Sequence, residues 1–193
     1  MGPVALKREE RFTYGDYLTW DDDERWEIID GVPYDMSPAP APTHQLILGE
    51  LYLQFSLWLK GKPCRLFLAP FDVRLPEAGE SDDQVETVVQ PDLSIICDST
   101  KLDKAGCRGA PDLVVEILSP ATARKDLTVK FAKYERAGVR EYWIVDPEGK
   151  TVRIFILGED GRYGPPLLFM EGDRATVGIF PDLEIDLAEL FAE

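Results

Sequence analysis

The sequence predicts an α+β fold or a mixed α/β sandwich. Short apolar runs of strand length recur along the chain of 193 residues, and two helical patterns interrupt them without regular strand-helix alternation. With 45% hydrophobic residues, the chain is long enough for one full-sized core and short for two. We therefore expect a single domain over residues 1–193.

The N-terminal part is predicted to contain a hairpin and a long helix. RWEIIDGVPYDM indicates two short strands that turn at its Asp-Gly pair, because this pair between apolar runs favours a tight turn. After the proline-rich connector MSPAPAPTH, Thr43 is expected to cap a heavily apolar helix that runs to Lys60 and stops at Gly61. Such a helix should be largely buried.

The rest of the chain is predicted to be rich in strands around a second helix. The pattern becomes helical after Ser119 and Pro120. The remaining predicted elements are one bent strand or two in CRLFLAPFDVRL, strands at 85–97 and 111–118 joined by a lysine-bearing loop at 98–110, a strand in EYWIVDP, a hairpin region in TVRIFIL and RYGPPLLFM, and a closing strand or helix in FPDLEIDLAELF.

Cysteine usage and hydropathy indicate an intracellular protein. Cys64, Cys97 and Cys107 form no CxxC pair, and an odd number of cysteines suggests no disulfide framework. The N-terminus lacks the apolar core of a signal peptide, and no apolar run approaches the roughly 20 residues that span a bilayer. We expect a cytoplasmic location, reduced thiols and no membrane insertion.

The formal net charge of −15 argues against a protein that holds a polyanion over its whole surface. Its distribution is uneven, because residues 101–140 carry nine Lys and Arg against five acids, which makes this segment +4 and the rest −19. Two interpretations remain open. The segment is either a solvated helix flank or a local basic surface around an acidic centre.

Two acids lie in apolar strand-like segments, Asp92 in VVQPDLSIIC and Glu116 in PDLVVEILSP. Carboxylates in such strands are costly unless a partner or a metal ion compensates them. Strand alternation groups Asp92 with Gln90 and Ser94, and Glu116 with Val114, so the two acids converge if the strands are neighbours. Together they would suit Mg²⁺, with Mn²⁺ as a substitute, because hard cations prefer carboxylate oxygens.

Lys130 follows these acids in the helical segment KDLTVKFAKYERAG. The apolar arc of this helix consists of Leu127, Phe131 and Tyr134. At roughly 100° per residue, Lys130 lies about 50° to 60° from the centre of the arc, and Lys133 lies more than twice as far round. Lys130 is therefore predicted to lean over the sheet, where its charge could orient water or stabilise a transition state. The alternative is that its stem packs while the ammonium reaches outward to water.

The chain resembles the Uma family of endonucleases, a branch of the restriction-endonuclease-like PD-(D/E)XK superfamily. The resemblance covers nearly the whole chain and rests on RWEIIDG, SPAPAPTHQLILGEL, VVQPDLSIIC and PDLVVEILSPATARKDLTVKFAKYERAGVREYWIVDP. It implies a restriction-endonuclease-like core, with a central mixed β-sheet flanked by helices. In this core Asp92 matches the Asp of the PD half-motif and Glu116 matches the (D/E). The superfamily expects a lysine two residues further on, where this chain has Leu118. In the Uma-like branch that role has moved to the following helix, here to Lys130.

Glu27, His44 and Asp112 also match recurring positions of the family and are second-tier candidates. Each has a structural alternative: Glu27 as a cross-strand partner, His44 as a capping or hydrogen-bonding group, and Asp112 as a strand-entry residue bonded to backbone. Asp112 and Glu116 lie about 13 Å apart along a strand, so they are not expected to share one ion. Asp126 is interpreted as the helix N-cap or as an i,i+4 partner of Lys130.

These observations lead to the hypothesis of a Mg²⁺-dependent nuclease that cleaves phosphodiester bonds, with DNA expected more than RNA. Asp92 and Glu116 would hold the metal, and Lys130 would position water or charge. The main alternative is a catalytically inactive binding or assembly module with the same fold, since the acidic excess opposes binding to a polyanion. A glycosidase is a third alternative, without a sugar-binding aromatic platform to support it. A homodimer would place two basic segments around one duplex.

Overall fold

The structure, a computed structural model, describes residues 10–21, 25–36 and 40–192. These residues form two six-stranded mixed sheets and a separate two-stranded sheet, accompanied by helices. The helices are α1 (Tyr14–Tyr17), α2 (Pro42–Leu59), α3 (Ala123–Lys125), α4 (Phe131–Ala137) and α5 (Leu187–Leu190), and a π-helical turn covers Asp126–Lys130. The predicted α+β class is confirmed, with two mixed sheets in place of the one central sheet.

Fourteen strands lie within the described residues, with α2 between β2 and β3 and the other longer helical segment between β9 and β10. In order they are β1 (Trp26–Ile29), β2 (Val32–Asp35), β3 (Arg65–Leu68), β4 (Val73–Arg74), β5 (Val88–Val89), β6 (Leu93–Ile96), β7 (Leu102–Asp103), β8 (Gly106–Arg108), β9 (Leu113–Ile117), β10 (Glu141–Asp146), β11 (Thr151–Ile156), β12 (Leu167–Met170), β13 (Arg174–Val177) and β14 (Phe180–Asp186). The first sheet has the order β2-β1-β5-β4-β8-β7, and the second has the order β12-β11-β10-β9-β6-β3. The hairpin β13-β14 stands apart from both.

The second sheet contains β9, which carries Glu116, and β6, which directly follows Asp92. Its strands β9 and β10 are parallel, and the chain passes between them through α3, the π-helical turn and α4. Strands β6 and β9 are antiparallel neighbours, with Leu93 opposite Val115. Continuing this register brings Asp92, just before β6, beside Glu116. The adjacency on which the predicted metal site depends is therefore present.

Alternate residues of β9 face two different cores, as strand geometry requires. Val115 and Ile117 pack with α2, α5 and the β13-β14 hairpin. Val114 packs on the opposite face with Tyr134 of α4 and Ile29 of β1. Glu116 belongs to the second face, so it points toward α4 and the first sheet.

The predicted N-terminal hairpin is confirmed. Strands β1 and β2 are antiparallel and turn at Asp30 and Gly31. These residues have φ values of 52° and 73°, the left-handed conformation that a tight two-residue hairpin turn needs at both positions. The turn places Glu27 on β1, facing the interior.

The prediction that Thr43 caps α2 is wrong. The helix begins at Pro42 after Ala41, and no side chain at the cap position bonds to the helix. Proline suits the first helical position because its fixed φ is helical and its missing N–H is not needed there. Residues 37–39 of the proline-rich connector lie outside the described residues. The predicted stop is confirmed, since Gly61 has a φ of 80° just after the helix.

The prediction that α2 is largely buried holds for only one of its faces. The buried face consists of Ile47, Leu48, Leu51, Phe55 and Leu59. Leu46, Leu53 and Leu57 are 66%, 49% and 67% exposed. The helix is apolar on both sides, but the sheet covers only one of them.

No helix in the described part of the chain has the length and hydropathy needed to cross a membrane.

The expectation of three reduced cysteines is wrong, because Cys64 and Cys97 form a disulfide. Strands β3 and β6 are antiparallel with Arg65 opposite Ile96, so the two cysteines that flank this pair also stand opposite each other. Cys107 is free and buried. A sequence separation of 33 residues carries no information on this register.

Three segments contain more regular structure than predicted. The lysine-bearing loop at 98–110 includes the paired strands β7 and β8. Strand β13 is absent from the prediction, and FPDLEIDLAELF forms both the strand β14 and the helix α5 in succession. Short strands of this kind have too few residues to show a clear period.

Glu141 is a fully buried carboxylate that joins the β13-β14 hairpin to the second sheet. Its Oε1 accepts hydrogen bonds from the Trp143 indole at 2.7 Å and from the Gly178 amide at 3.1 Å. Its Oε2 accepts one from the Ile179 amide at 2.8 Å. Burial raises the pKa of Glu141, and these donors act in the opposite direction. All three partners of this carboxylate are donors.

Glu141→Gln is expected to lower the free energy of unfolding by about 1–3 kcal/mol, because either orientation of the amide places an NH₂ against a buried donor. Urea denaturation measures the change. Glu184→Gln on the exposed side of β14 is the matched control and should remain close to wild type. Equal stabilities of the two variants would show that the carboxylate does not hold the hairpin.

Candidate functional site

Glu116 lies in the middle of β9 and is 3% exposed. The ammonium of Lys130 donates to its Oε1 at 2.8 Å. The hydroxyl of Tyr134 donates to the same oxygen at 2.6 Å. The segment that connects β9 to β10 therefore supplies both hydrogen-bond donors to Glu116, which lies in β9 just before this segment begins.

Lys130 is buried among three carboxylates. Its Nζ lies 2.7 Å from Glu27 Oε1, 2.8 Å from Glu116 Oε1 and 3.7 Å from Asp126 Oδ1. The side chain of Lys130 is 1% exposed, so its ammonium does not reach water. The predicted inward orientation of Lys130 is confirmed.

The π-helical turn changes the faces that a regular helix would present. Leu127, assigned to the apolar arc by the 100° projection, is 38% exposed. This assignment is wrong because residues 126–130 are wound more widely than an α-helix. Asp126 is not the N-cap, since Thr122 precedes α3, but it is the i,i+4 partner of Lys130.

Glu27 on β1 holds two lysines of the crossing segment. Its Oε1 accepts from the Gln90 amide at 2.9 Å as well as from Lys130, and its Oε2 accepts from Lys125 Nζ at 2.7 Å. Burial opposes the charge on Glu27, but Lys130 and Lys125 hold its pKa below the ordinary value. The carboxylate is fully engaged by protein donors, which favours a positioning role over metal ligation.

Asp92 connects β9 to the first turn of α2. Its Oδ2 accepts a hydrogen bond from the Ile117 amide at 2.7 Å and lies 3.2 Å from Nε2 of His44. Burial alone would lower the pKa of His44, but the hydrogen bond to Asp92 and its charge raise it. His44 thus has a hydrogen-bonding role at the start of the helix. Its Nδ1 is buried and has no hydrogen-bond partner among the described residues.

Asp112 lies at the entry to β9, away from the cluster formed by Lys130 and the carboxylates around it. Its Oδ2 accepts from the Cys97 amide at 2.7 Å, and its Oδ1 accepts from Arg140 at 3.1 Å. These are the backbone and surface contacts of a strand-entry residue. The structural interpretation of Asp112 is the one that the geometry supports.

Charge is unevenly balanced within the acidic cluster. The carboxyl groups of Glu27, Asp92, Glu116 and Asp126 influence one another, and Lys125 and Lys130 are the lysines that oppose them. Burial raises the pKa of Glu116 well above its usual range, and the neighbouring carboxylates Asp126, Asp92 and Glu27 reinforce this against the attraction of Lys130. Burial would lower the pKa of Lys130, but the surrounding carboxylates raise it well above its ordinary value. The cluster therefore has more carboxyl groups than lysines to balance their charge.

The carboxylate oxygens in this part of the molecule fit a hard divalent cation that retains several waters. Asp92 and Glu116 each use a single oxygen for the bonds described above, and no donor in the described ranges is bonded to Asp92 Oδ1 or Glu116 Oε2. Oδ1 of Asp126 is buried without a hydrogen bond in the same part of the molecule. Within residues 10–21, 25–36 and 40–192, no three side chains of His, Cys, Asp or Glu form a closed metal cage. Mg²⁺ does not need one, because one or two carboxylates suffice for it.

Most of the basic residues between 101 and 140 are neutralised by acids, so the local basic surface is weaker than its charge suggests. Pairs that satisfy these residues are Arg108–Asp82, Lys125–Glu27, Lys130–Glu116, Lys133–Asp30, Arg136–Glu77 and Arg140–Asp112. Arg124, exposed at the start of the crossing segment, has no ion pair with a described residue. It is an exposed cation close to the cluster in sequence.

Sequence reasoning missed three members of the cluster. Lys125 and Tyr134 were not singled out as site residues, and Asp126 was considered only as a capping or helix-pairing group. A lysine that binds an acid 98 positions away gives no local signal. The tyrosine was visible only as part of an apolar arc, although buried tyrosines usually need a hydrogen-bond partner.

Comparisons with known proteins agree with this architecture. Residues 14–188 match the family model Uma2, described as "Putative restriction endonuclease". A protein of Synechocystis sp. described as uncharacterized is 28% identical over 156 residues, which is 77% of this chain and 75% of that protein. The crystal structure of a "putative nuclease belonging to DUF820" from Anabaena variabilis superposes with a TM-score of 0.73 at 20% identity, over 93% of this chain and 97% of that one. The fold is therefore shared with a solved structure.

Lys130→Met is expected to lower the free energy of unfolding by about 3–5 kcal/mol, because it leaves buried carboxylates without their cation. Thermal and urea denaturation at neutral pH measure this loss. Lys133→Met, in the next turn of the same segment, removes a lysine whose partner Asp30 remains half exposed, and should cost about 1 kcal/mol or less. A Lys130 variant as stable as the Lys133 variant would contradict the proposed central position of Lys130.

Proposed function

Because the chain belongs to the Uma2 family, described as "Putative restriction endonuclease", we propose that it is a Mg²⁺-dependent nuclease that hydrolyses phosphodiester bonds, preferring DNA to RNA. The observation that carries this proposal is the meeting of Asp92 and Glu116 on neighbouring strands, with Lys130 bonded to Glu116. We further propose that residues 1–193 act as one domain. The substrate class favours the cytoplasm as the place of action.

Asp92 and Glu116 are the residues that would hold the ion. A bound Mg²⁺ would supply an activated water and stabilise charge on a phosphate oxygen. Asp92 is fixed by the Ile117 amide and by His44, so its carboxylate has little freedom to rotate away. Glu116 is fixed in the same way by Lys130 and Tyr134. Both acids are thus oriented before any ligand arrives, which reduces the cost of assembling the site.

Lys130 would keep a positive charge in contact with Oε1 of Glu116. Leu118 occupies the position at which the superfamily has its lysine, but the π-helical turn delivers the ammonium of Lys130 to the same acid. Glu27 and Asp126 hold this ammonium in place. Since Lys130 is buried, its contribution would pass through the orientation and charge of Glu116.

Nucleic acid would have to approach a protein whose net charge is −15. The exposed guanidinium of Arg124 would be available for a phosphate, since it lacks an acidic partner among the described residues. We expect modest affinity that depends on the divalent ion and falls as salt rises.

A catalytically inactive binding or assembly module remains the second candidate. The observation that favours it is that Lys130 and Tyr134 already occupy one oxygen of Glu116. A module of this kind would retain the ion pairs as structural elements and would not respond to Mg²⁺.

Asp92→Asn is expected to reduce cleavage of plasmid DNA in Mg²⁺ or Mn²⁺ by about 100-fold or more, because it removes a charged ligand while preserving shape. Glu116→Gln should have a similar effect. Asp112→Asn is the matched control and should keep most of the activity, since its contacts are with Cys97 and Arg140. Wild-type activity in the Asp92 variant would remove this residue from the site. Parallel reactions on single-stranded DNA and RNA determine the substrate.

Calorimetric titration with Mg²⁺ separates the enzyme from the inactive module. The enzyme should bind the ion, lose binding in Glu116→Gln and lose activity in EDTA, with activity restored by excess Mg²⁺. The absence of measurable binding by a folded wild-type protein, together with cleavage that EDTA does not change or with no cleavage at all, would contradict the metal-dependent proposal.

A further inference from the structure

Arg25 carries a guanidinium group that is held in place without being neutralised. Its Nε and Nη2 atoms donate to the side-chain oxygen of Gln90 at 3.1 Å and 2.8 Å. This acceptor belongs to a neutral amide, and no carboxylate within residues 10–21, 25–36 and 40–192 forms an ion pair with Arg25. A guanidinium also has donors on Nη1. These donors have no acceptor in the same part of the chain and remain available for a ligand.

Gln90 can fix the guanidinium because it is itself bonded on two other sides. Its Nε2 donates to Asp72 Oδ1 at 2.9 Å, and its backbone amide donates to Glu27 Oε1 at 2.9 Å. The residue is 5% exposed. Its side-chain nitrogen thus faces an acid, and its side-chain oxygen faces the cation. A glutamate here would pair with Arg25 and cancel its charge, whereas glutamine orients the charge and preserves it.

Arg25 lies on the same face of its strand as Glu27. The Met36 amide donates to the Arg25 carbonyl at 2.8 Å, which continues the pairing of β1 with β2 by one residue. Since strand side chains alternate, Arg25 and Glu27 point the same way, about 7 Å apart along the strand. Glu27 in turn bonds the ammonium of Lys130. The guanidinium therefore belongs to the outer edge of the cluster around Lys130.

The connection between the two sheets brings Arg25 close to the proposed metal ligands. Gln90 directly follows β5 of the first sheet, and Asp92 directly precedes β6 of the second. Only one residue separates them, so their Cα atoms are at most about 7 Å apart. The guanidinium bonds Gln90 and neither Asp92 nor Glu116. It consequently lies beside the two acids, where a neighbouring phosphate of a strand held at the metal would pass.

A guanidinium in this setting is well suited to a phosphate. Its planar fork of N–H groups matches phosphate oxygens better than an ammonium does. Arg25 is half-buried and already bonded to Gln90, so it loses less side-chain freedom on binding than the exposed Arg124 would. The lysines nearest to Glu27, Lys125 and Lys130, are ion-paired with that acid. Arg25 thus offers the anchored positive charge that those lysines do not.

On the basis of the proposed nuclease function, we propose that Arg25 binds a DNA phosphate adjacent to the one cleaved at Asp92 and Glu116. The amide of Gln90 orients the guanidinium before the strand arrives. Contacts to phosphate fix the register of a strand and carry no sequence information. The loss of Arg25 should therefore weaken binding to the same extent for every DNA sequence.

Fluorescence anisotropy of a short labelled duplex, measured in Ca²⁺ to limit cleavage and at several NaCl concentrations, tests this contact. Arg25→Gln should weaken binding about 10-fold and reduce the slope of log affinity against log salt by about 0.9, because one counterion fewer is released. Arg25→Lys should keep the slope and lose part of the affinity. Arg65→Gln removes the same charge from an exposed residue at the end of β3 away from Asp92, and should remain close to wild type.

Cleavage kinetics and metal binding distinguish a phosphate contact from a structural role. Arg25→Gln should raise the KM for DNA about 10-fold and change kcat by less than about two-fold, as expected when binding is lost equally from substrate and transition state. Calorimetry should give the wild-type Mg²⁺ affinity in this variant. Circular dichroism checks that every variant is folded.

The inference is overturned, and the proposed nuclease function is not, if folded Arg25→Gln matches Arg65→Gln in DNA affinity and salt slope. Loss of Mg²⁺ binding in Arg25→Gln would also overturn it, because Arg25 would then act through the metal site. If Arg25→Gln does not fold, Arg25→Lys provides the test, and unchanged DNA affinity in that variant overturns the inference. Wild-type protein that neither binds nor cleaves DNA would remove the proposed function and this contact together.

Discussion

The ammonium of Lys130 is the interaction on which the arrangement of this molecule depends. It lies within hydrogen-bond distance of Glu27 on the first sheet and Glu116 on the second, and close to Asp126 in its own turn. A buried charge is tolerated only when its partners compensate for lost hydration. The two sheets and the crossing segment are therefore linked through one cation, and the position of Glu116 is inseparable from the packing of the fold.

The same cluster explains how an acidic protein can belong to a nuclease family. Its carboxylates outnumber its lysines. Burial raises the pKa of Glu116, and repulsion from the neighbouring carboxylates adds to this against the attraction of Lys130. A divalent cation would relieve this repulsion and would also present positive charge to a phosphate. In this account the attraction for nucleic acid comes mainly from a bound ion, because most lysines and arginines between residues 101 and 140 are paired with acids.

Local patterns were sufficient to predict the strand that carries Glu116, the face that Glu116 shares with Asp92, and the inward orientation of Lys130. The single strand predicted at 85–97 is instead two strands in different sheets, β5 and β6, with Asp92 between them. The pairing of Lys125 with Glu27 was beyond such reasoning, because it joins residues 98 positions apart. The disulfide between Cys64 and Cys97 depends in the same way on a strand register that spacing does not encode. The exposed face of α2 was missed because hydrophobicity shows that a face is apolar, not what covers it.

Diffraction from crystals soaked in Mn²⁺ tests the central claim most directly, since the anomalous signal locates the ion without reference to activity. The account predicts a peak between Asp92 and Glu116, with the ammonium of Lys130 still bonded to Glu116. A crystal saturated with Mn²⁺ in which every peak lies away from these two acids would contradict it.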